Sequence, residues 1–208
     1  MRIGVTVLPD PPFQRLVDLI GMAEEQGFES GWTYDSPILW QEPYPLLTLM
    51  VQRTSKMRIG LCVTNPVTRE PAVTASAYAT LQDISGGRML MGMGRGDSAV
   101  RVMGRKPTPI AQFEERLRMI KEFTNGRPVE WEGTPIQLKW AADLPEVPLY
   151  VAAYGPRALG VAGARRRRRD HPARRPGDHR VDDGHGAPGR RGGGARPGGA
   201  EVPRVRAV

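Results

Sequence analysis

Residues 58–71 read Arg-Ile-Gly-Leu-Cys-Val-Thr-Asn-Pro-Val-Thr-Arg-Glu-Pro, and the architecture of the chain can be worked out from this segment. Ile59, Leu61 and Val63 are apolar with small residues between them, which predicts a buried strand. The strand must end before Pro66, because proline has no backbone N–H to donate and pushes the preceding residue into an extended conformation. Ligands of α/β proteins bind at the carboxyl edge of the sheet, so this strand end is the first candidate binding site.

A unit of one strand and one helix repeats about every thirty residues around this segment. Four apolar segments predict strands, at 3–8, 29–34, 58–64 and 89–93. Three segments between them predict helices, at 13–26, 46–55 and 72–84. Further along, the pattern predicts a helix at 110–124, a hairpin of 129–134 with 136–140, and a fifth strand at 148–153. The alternation predicts a parallel sheet, either a barrel or a doubly wound fold, and periodicity does not choose between them.

The segment Val63-Thr-Asn-Pro66, followed by Thr68-Arg69 and Pro71, resembles the third strand of luciferase-like flavin and deazaflavin oxidoreductases. Within that superfamily it is similar to methylenetetrahydromethanopterin reductase and its relatives that depend on coenzyme F420. The resemblance covers about residues 1–163 and stops after Gly163. Four further segments carry it: Trp32–Ser36, Leu39–Pro43, Gly94–Arg101 and Val151–Pro156.

The resemblance implies a fold and a division of the chain. The implied fold is α/β, the (β/α)8 TIM barrel of the bacterial-luciferase type, truncated here after about five strands. Residues 1–163 would form this partial barrel domain, with an insertion at about 98–145 after the fourth strand. Residues 164–208 would form a separate basic tail.

The resemblance also implies a cofactor and its site. The cofactor would be coenzyme F420, with FMN in a luciferase-like monooxygenase as the alternative, and the reaction a hydride transfer between F420 and a small organic substrate. A bulge at Cys62–Val63 would carry a cis peptide bond that does not precede proline, a rare arrangement, and would back the middle ring of the cofactor. From the residues alone, an ordinary strand and turn is as good an interpretation, with Cys62 a small buried hydrophobe. The implied cofactor contacts are Asp35, Cys62, Val63, Thr64, Asn65, Gly94, Gly96, Ala153, Gly155 and Pro156.

Two adjacent residues are the catalytic candidates. Asp35 ends the second predicted strand, where the family places an acid that hydrogen-bonds the deazaflavin ring. Ser36 follows it, where some relatives have a histidine thought to act as an acid. Serine is a poor proton donor, so the identity of the proton donor stays open. Without the resemblance, an aspartate before Ser-Pro is a common turn residue.

Two glycine motifs follow later strands. Gly92-x-Gly94-x-Gly96 lacks the G-x-G-x-x-G spacing of the dinucleotide fingerprint, but its glycines would let the backbone approach a ligand closely. The resemblance places it beside the ribityl side of the cofactor and the substrate mouth. Gly155-Pro156 begins a predicted helix, whose free N–H groups attract phosphate. The resemblance assigns this turn to the cofactor phosphate, and a plain helix start is the alternative.

The charge of the chain is unevenly distributed. Its net charge is +8, yet residues 1–163 hold seventeen basic and seventeen acidic residues, so residues 164–208 carry the whole excess. A single cysteine excludes a disulfide framework within the chain and suits a reducing cytoplasm. We expect a cytoplasmic protein without a signal peptide, because Met1 leads directly into a strand. We expect no membrane span, because no apolar run is long enough to cross a membrane. We also expect no metal site. Intact relatives would be homodimers.

Residues 164–208 contain no leucine, isoleucine, methionine or aromatic residue, so we expect them to be disordered. One interpretation is an arm that binds nucleic acid electrostatically, although it lacks the aromatic residues that would add stacking. We favour a frameshift in GC-rich coding sequence, because arginine, glycine, proline and alanine are what misread GC-rich codons give. On that interpretation this chain would be an inactive fragment of the oxidoreductase.

Translation of the coding DNA around codons 160–170 in the other two frames tests the frameshift. One frame should continue as a strand that ends in Ala-Asp-Gly, because that sequence completes the phosphate site in the family. If the given frame is the only open one, the frameshift interpretation is wrong. Nucleic-acid binding that weakens with salt and disappears on deletion of residues 164–208 would then be the next measurement.

Overall fold

A parallel sheet forms the centre of the computed structural model, which describes residues 3–153. Five strands form it, in the spatial order β1-β2-β3-β4-β7, and each pairs in parallel with the next. A doubly wound sheet reverses its strand order at a switch point, whereas a barrel adds its strands in one direction. The described sheet therefore has the order of a barrel. In chain order the strands are β1 (Gly4–Thr6), β2 (Ser30–Thr33), β3 (Arg58–Thr64), β4 (Met89–Met93), β5 (Val129–Trp131), β6 (Thr134–Ile136) and β7 (Leu149–Val151).

The helices connect these strands and bury their apolar sides against the sheet. Those predicted at 13–26, 46–55, 72–84 and 110–124 are all present, whereas α4 was not predicted. This short helix follows Gly96, whose φ of 85° reverses the chain after β4. None of the helices within residues 3–153 is both long and apolar enough to cross a membrane. The helices are α1 (Phe13–Glu25), α2 (Pro43–Arg53), α3 (Pro71–Ile84), α4 (Asp97–Arg101) and α5 (Ile110–Thr124).

The hairpin of β5 and β6 lies earlier in the chain than predicted. Glu132 and Gly133 both have positive φ, of 51° and 77°, which is the signature of a two-residue hairpin turn. This turn places residues 134–136 opposite β5, so the prediction of a second strand over 136–140 is wrong. Residues 139–141 form a single 3-10 turn instead.

The contact between β3 and β4 leaves no room for side chains at two positions. A methyl group on Gly60 would overlap the carbonyl oxygen of Leu90, and one on Gly92 would overlap the carbonyl oxygen of Leu61. The strands are therefore apolar toward the helices, and on the other side they have glycine at these two positions of close contact. The residues that alternate with these glycines belong to the core shared with the helices: Ile59, Leu61, Met89 and Met91.

Two aromatic rings meet on the side of the sheet that these glycines leave open. Trp32 of β2 is in register with Gly60, and Tyr150 of β7 is in register with Gly92. Their ring centroids are 5.7 Å apart and the ring planes lie at 86°, an edge-to-face contact. Rings on β2 and β7 can meet because the glycines between them carry no side chains and the sheet curves, as in the wall of a barrel.

The loop between α2 and β3 is held from two sides. The guanidinium of Arg88, beside β4, donates hydrogen bonds of 2.9 Å to the carbonyl oxygens of Val51 and Met57. From the end of α1, the carboxylate of Glu24 accepts hydrogen bonds of 2.7–3.0 Å from the backbone N–H groups of residues 55–57. These contacts fix where β3 begins, and so where it ends.

Gly92→Ala should lower the free energy of unfolding by roughly 1–3 kcal/mol, because the new methyl group overlaps main chain that cannot move away. Gly21→Ala is the matched control, since its methyl group meets only the flexible guanidinium end of Arg53. It should leave stability unchanged or raise it by up to about 1 kcal/mol, because alanine favours a helix more than glycine does. Urea unfolding measures both variants, and equal stability of the two would contradict the packing account.

Candidate functional site

The carboxyl ends of the sheet strands surround one open cleft. Water-sized spheres can occupy about 440 Å³ of it. The cleft lies at the sheet edge where parallel α/β proteins bind ligands. The structure therefore brings together residues that are far apart in the chain. Six of the residues predicted as cofactor contacts line it: Asp35, Val63, Thr64, Asn65, Gly94 and Gly96.

The predicted bulge in β3 forms one wall of the cleft. The peptide bond between Cys62 and Val63 is cis, so this prediction is confirmed. The pairing of β3 with β4 shifts register between Leu61 and Thr64. Val63 lines the cleft, and a methyl group on Gly94 would approach its Cγ2 to 2.8 Å. Gly94 is therefore needed to make room for Val63, a packing reason that sequence reasoning did not supply.

Cys62 lines a small cavity next to the cleft, and Val63 borders both. Cys62 is half-buried and borders, with Trp32 and Tyr150, a cavity of only about 10 Å³. Burial raises the pKa of its thiol, so Cys62 stays protonated at neutral pH. It is not among the residues that line the cleft.

Asp35 is a buried acid in the cleft wall. It is 6% exposed, and its Oδ2 accepts a 2.6 Å hydrogen bond from the hydroxyl of Thr64. Burial raises the pKa of Asp35, and the negative charge of Glu42 adds to this, while the Thr64 hydrogen bond and the positive charge of Arg69 oppose it. The net shift is upward. Asp35 therefore keeps its proton to a higher pH than an ordinary aspartate.

Ser36 holds the turn that follows β2. Its carbonyl oxygen accepts hydrogen bonds of 3.0 and 2.9 Å from the backbone N–H groups of Leu39 and Trp40. Its hydroxyl is buried, has no hydrogen-bond partner in the described part of the chain, and does not line the cleft. Such a group is usually satisfied by an ordered water or a bound ligand.

One end of the Asn65 side chain stabilises the turn after β3. Its carboxamide oxygen accepts hydrogen bonds of 3.0 Å from the backbone N–H groups of Val67 and Thr68. Its amide nitrogen is the group that can meet a ligand. Gly96 has a φ of 85°, and a methyl group there would lie 3.1 Å from the Cβ of Asn65. Both the backbone conformation and this neighbour require glycine at position 96.

The fifth sheet strand supplies a wall residue that was not predicted. Ala152 lines the cleft, and its backbone N–H donates a 2.8 Å hydrogen bond to the carbonyl oxygen of Met93. Ala153, the predicted contact, is half-buried one residue further on and does not line the cleft. Small residues at the end of a strand were the available signal for this wall, and Ala153 as a cofactor contact stays a prediction. Gly155 and Pro156 lie outside the described residues.

The wall of the cleft combines apolar contacts with a buried carboxyl group. Val63 and Ala152 offer apolar contacts, and Gly94 and Gly96 keep side chains out of the space. Asp35 offers a buried carboxyl group at the same wall. Within residues 3–153, no group of three or more histidine, cysteine, aspartate or glutamate residues is arranged to hold a metal ion.

Asp35→Asn should raise the free energy of unfolding at neutral pH, because the amide oxygen can still accept from Thr64 and folding then requires neither a buried charge nor the uptake of a proton. The pKa of Asp35 is higher in the folded chain than in the unfolded chain, so the wild type loses stability as pH rises through the folded pKa. The advantage of the variant should therefore shrink as pH is lowered toward about 4. Urea unfolding across this range measures it, with Asp83→Asn on the exposed side of α3 as the control for loss of one charge. A difference that does not change with pH would contradict the raised pKa.

Comparison with known proteins identifies the family. A family model described as luciferase-like monooxygenase matches residues 1–166. The chain is 34% identical over 168 residues to 5,10-methylenetetrahydromethanopterin reductase of Methanolobus tindarius, across 78% of this chain and 51% of that protein. It is 33% identical over 166 residues to F420-dependent glucose-6-phosphate dehydrogenase of Amycolatopsis mediterranei, across 71% of this chain and 50% of that protein. The chain thus spans about half the length of the curated relatives it matches.

A solved structure supports the same assignment. The coenzyme F420 dependent tetrahydromethanopterin reductase from Methanopyrus kandleri superposes with a TM-score of 0.66 at 33% identity, across 78% of this chain and 53% of that one. The predicted resemblance and the predicted α/β barrel fold are both confirmed, with five parallel strands in residues 3–153. The family model extends over most of the chain, and the cleft lies where that fold binds ligands. The chain belongs to the luciferase-like monooxygenase family.

Proposed function

We propose that this chain binds coenzyme F420 in the cleft beside Asp35 and takes part in hydride transfer between that cofactor and a small organic substrate. The observation that carries the proposal is the buried carboxyl group of Asp35 in a cleft of about 440 Å³ whose wall is the β3 bulge. Pockets of this size suit a ligand as large as a tricyclic ring. Relatives that are 33–34% identical carry names that include coenzyme F420, which supports the choice of cofactor.

Different residues of the cleft would contact different parts of such a ring. Val63 supplies an apolar contact, and Gly94 leaves the space beside it open. Asp35 can keep a proton at Oδ1 or Oδ2 and present it to a polar edge of the ring, because burial raises its pKa. Thr64 orients that carboxyl group through the 2.6 Å hydrogen bond. When bound, coenzyme F420 would supply the hydride chemistry itself.

Other parts of the proposal rest on the resemblance. Ala153, Gly155 and Pro156 would hold the cofactor phosphate at the start of the helix that follows β7. Ser36 would act only through the position of Asp35, since its hydroxyl does not line the cleft. Residues 1–163 would be the barrel domain. The names of the relatives suggest two substrates to test, 5,10-methylenetetrahydromethanopterin and glucose 6-phosphate.

Direct binding tests the cofactor. The full chain should bind coenzyme F420 at least about tenfold more tightly than FMN, measured by titration calorimetry and by fluorescence of the bound ring. Ala152→Trp should weaken F420 binding by at least about tenfold, because the indole fills the cleft beside Gly94. Ala111→Trp, at an exposed position on α5, should leave binding unchanged.

The outcomes of that titration separate the candidates. Tight binding of FMN without F420 would favour the flavin monooxygenase, and binding of neither would overturn the proposal. If F420 binds, its absorbance should change on addition of a substrate without oxygen, since hydride transfer to a deazaflavin needs no oxygen. A strict requirement for oxygen would contradict the reaction type proposed.

A further inference from the structure

An ion pair joins the chain segment that carries Asp35 to the segment that follows Thr64, the hydrogen-bond partner of Asp35. Glu42 belongs to the segment between β2 and α2, and Arg69 to the segment between β3 and α3. The Arg69 guanidinium forms an ion pair with Oε1 of Glu42. Their side chains are 29% and 43% exposed, so the pair lies at the boundary with solvent, whereas Asp35 is buried. Both charges act electrostatically on Asp35, in opposite directions.

Tyr44, in the first turn of α2, holds both members of this pair. The guanidinium carbon of Arg69 lies 4.4 Å from the centroid of the Tyr44 ring, a cation–π contact. Oε1 of Glu42 accepts a 3.1 Å hydrogen bond from the backbone N–H of Tyr44. Exposed ion pairs without such additional contacts sample many arrangements. Here each charge is fixed by the tyrosine as well as by its partner.

The other polar groups around Asp35 are neutral. Thr64 of β3 donates its hydroxyl hydrogen to the carboxylate. Burial raises the pKa of Tyr44 on α2 and of Tyr78 on α3 far above neutral pH, and the charge of Asp35 adds to both shifts. The two rings contact edge to face with centroids 5.9 Å apart. In the described part of the chain, Glu42 and Arg69 are thus the charged side chains that act on Asp35 from the elements packed against it.

We propose that the Glu42–Arg69 pair, fixed by Tyr44, is a positioning device that keeps two opposite charges in balance around Asp35, so that burial decides its protonation state. Arg69 favours the carboxylate, Glu42 favours the protonated acid, and each neutralises the other. Asp35 therefore keeps the proton that burial favours, as long as both charges remain in place. The inference rests on the proposed function in one respect only, that the proton of Asp35 is presented to the ring of coenzyme F420. The effect of the pair on the protonation of Asp35 is a property of the chain itself and does not depend on a cofactor.

The protonation of Asp35 can be measured without any ligand. The full chain is labelled with ¹³C at the aspartate carboxyl groups, the Asp35 signal is assigned with Asp35→Asn, and its chemical shift is followed against pH. Arg69→Gln should move the midpoint to higher pH, and Glu42→Gln should move it to lower pH. The double variant should return toward the wild type. Arg69→Lys keeps the charge and should stay close to the wild type.

Arg101→Gln is the matched control, since Arg101 also pairs with an acid near the cleft, at 3.8 Å from Asp97, but makes no contact with Tyr44. It should leave the midpoint unchanged. A purely structural role for the pair would lower stability in both single variants without moving the midpoint in opposite directions. An unchanged or lowered midpoint in Arg69→Gln would overturn the inference, and so would a shift of the same sign in both variants.

Binding of coenzyme F420 to the same variants separates this inference from the proposed function. The pH dependence of the dissociation constant should follow the Asp35 midpoint, moving upward in Arg69→Gln and downward in Glu42→Gln. If F420 does not bind any variant while the midpoints shift as expected, the proposed function fails and the positioning role stands. If F420 binds and the midpoints do not move, the positioning role fails alone.

Discussion

The close approach of β3 and β4 is the constraint on which the rest of the molecule depends. At Gly60 and Gly92 the main chain of one strand occupies the place where a side chain of the other would stand. This lets the sheet curve until Trp32 and Tyr150 touch, and it draws the carboxyl ends of both strands together. A side chain at either glycine would push the strands apart, and the cleft would lose the wall that β3 and β4 share.

The site is assembled from residues that individually give little indication of a function. Asp35 is an ordinary turn residue until the order of the strands places the Thr64 hydroxyl 2.6 Å from its carboxylate and buries both. Burial then decides its chemistry, because neighbouring groups of opposite effect largely offset each other and the desolvation remains. The helices contribute to the site through Tyr44 of α2, which contacts the Glu42–Arg69 ion pair. The Tyr44 ring also packs against Tyr78 of α3, so the ion pair is connected to the hydrophobic core.

Most of the fold and part of the site could be predicted because they depend on patterns within the chain. Apolar spacing located the strands and helices of the sheet, and parallel strand ends must share an edge, so Asp35, Thr64 and Asn65 could be grouped. The hairpin was misplaced because its register depends on two positive φ values, and the side on which Cys62 lies depends on a bulge in the strand. Ala152 was missed because a strand end cannot be located to one residue from composition. The contact of Arg69 with Tyr44 depends on loop conformation, which no periodicity encodes.

Glu24 makes the beginning of β3 sensitive to acid. Burial alone would raise its pKa, but the hydrogen bonds from the backbone of residues 55–57 together lower it. Its contribution to stability is therefore complete above the ordinary pKa of a glutamate and is lost as pH falls through the lowered value. Asp35, at the other end of the same sheet, has the opposite sign. The two edges of the barrel wall thus respond to protons in opposite directions: lowering the pH through the pKa of Glu24 destabilises the edge where the strands start, and raising it through the pKa of Asp35 destabilises the edge that lines the cleft.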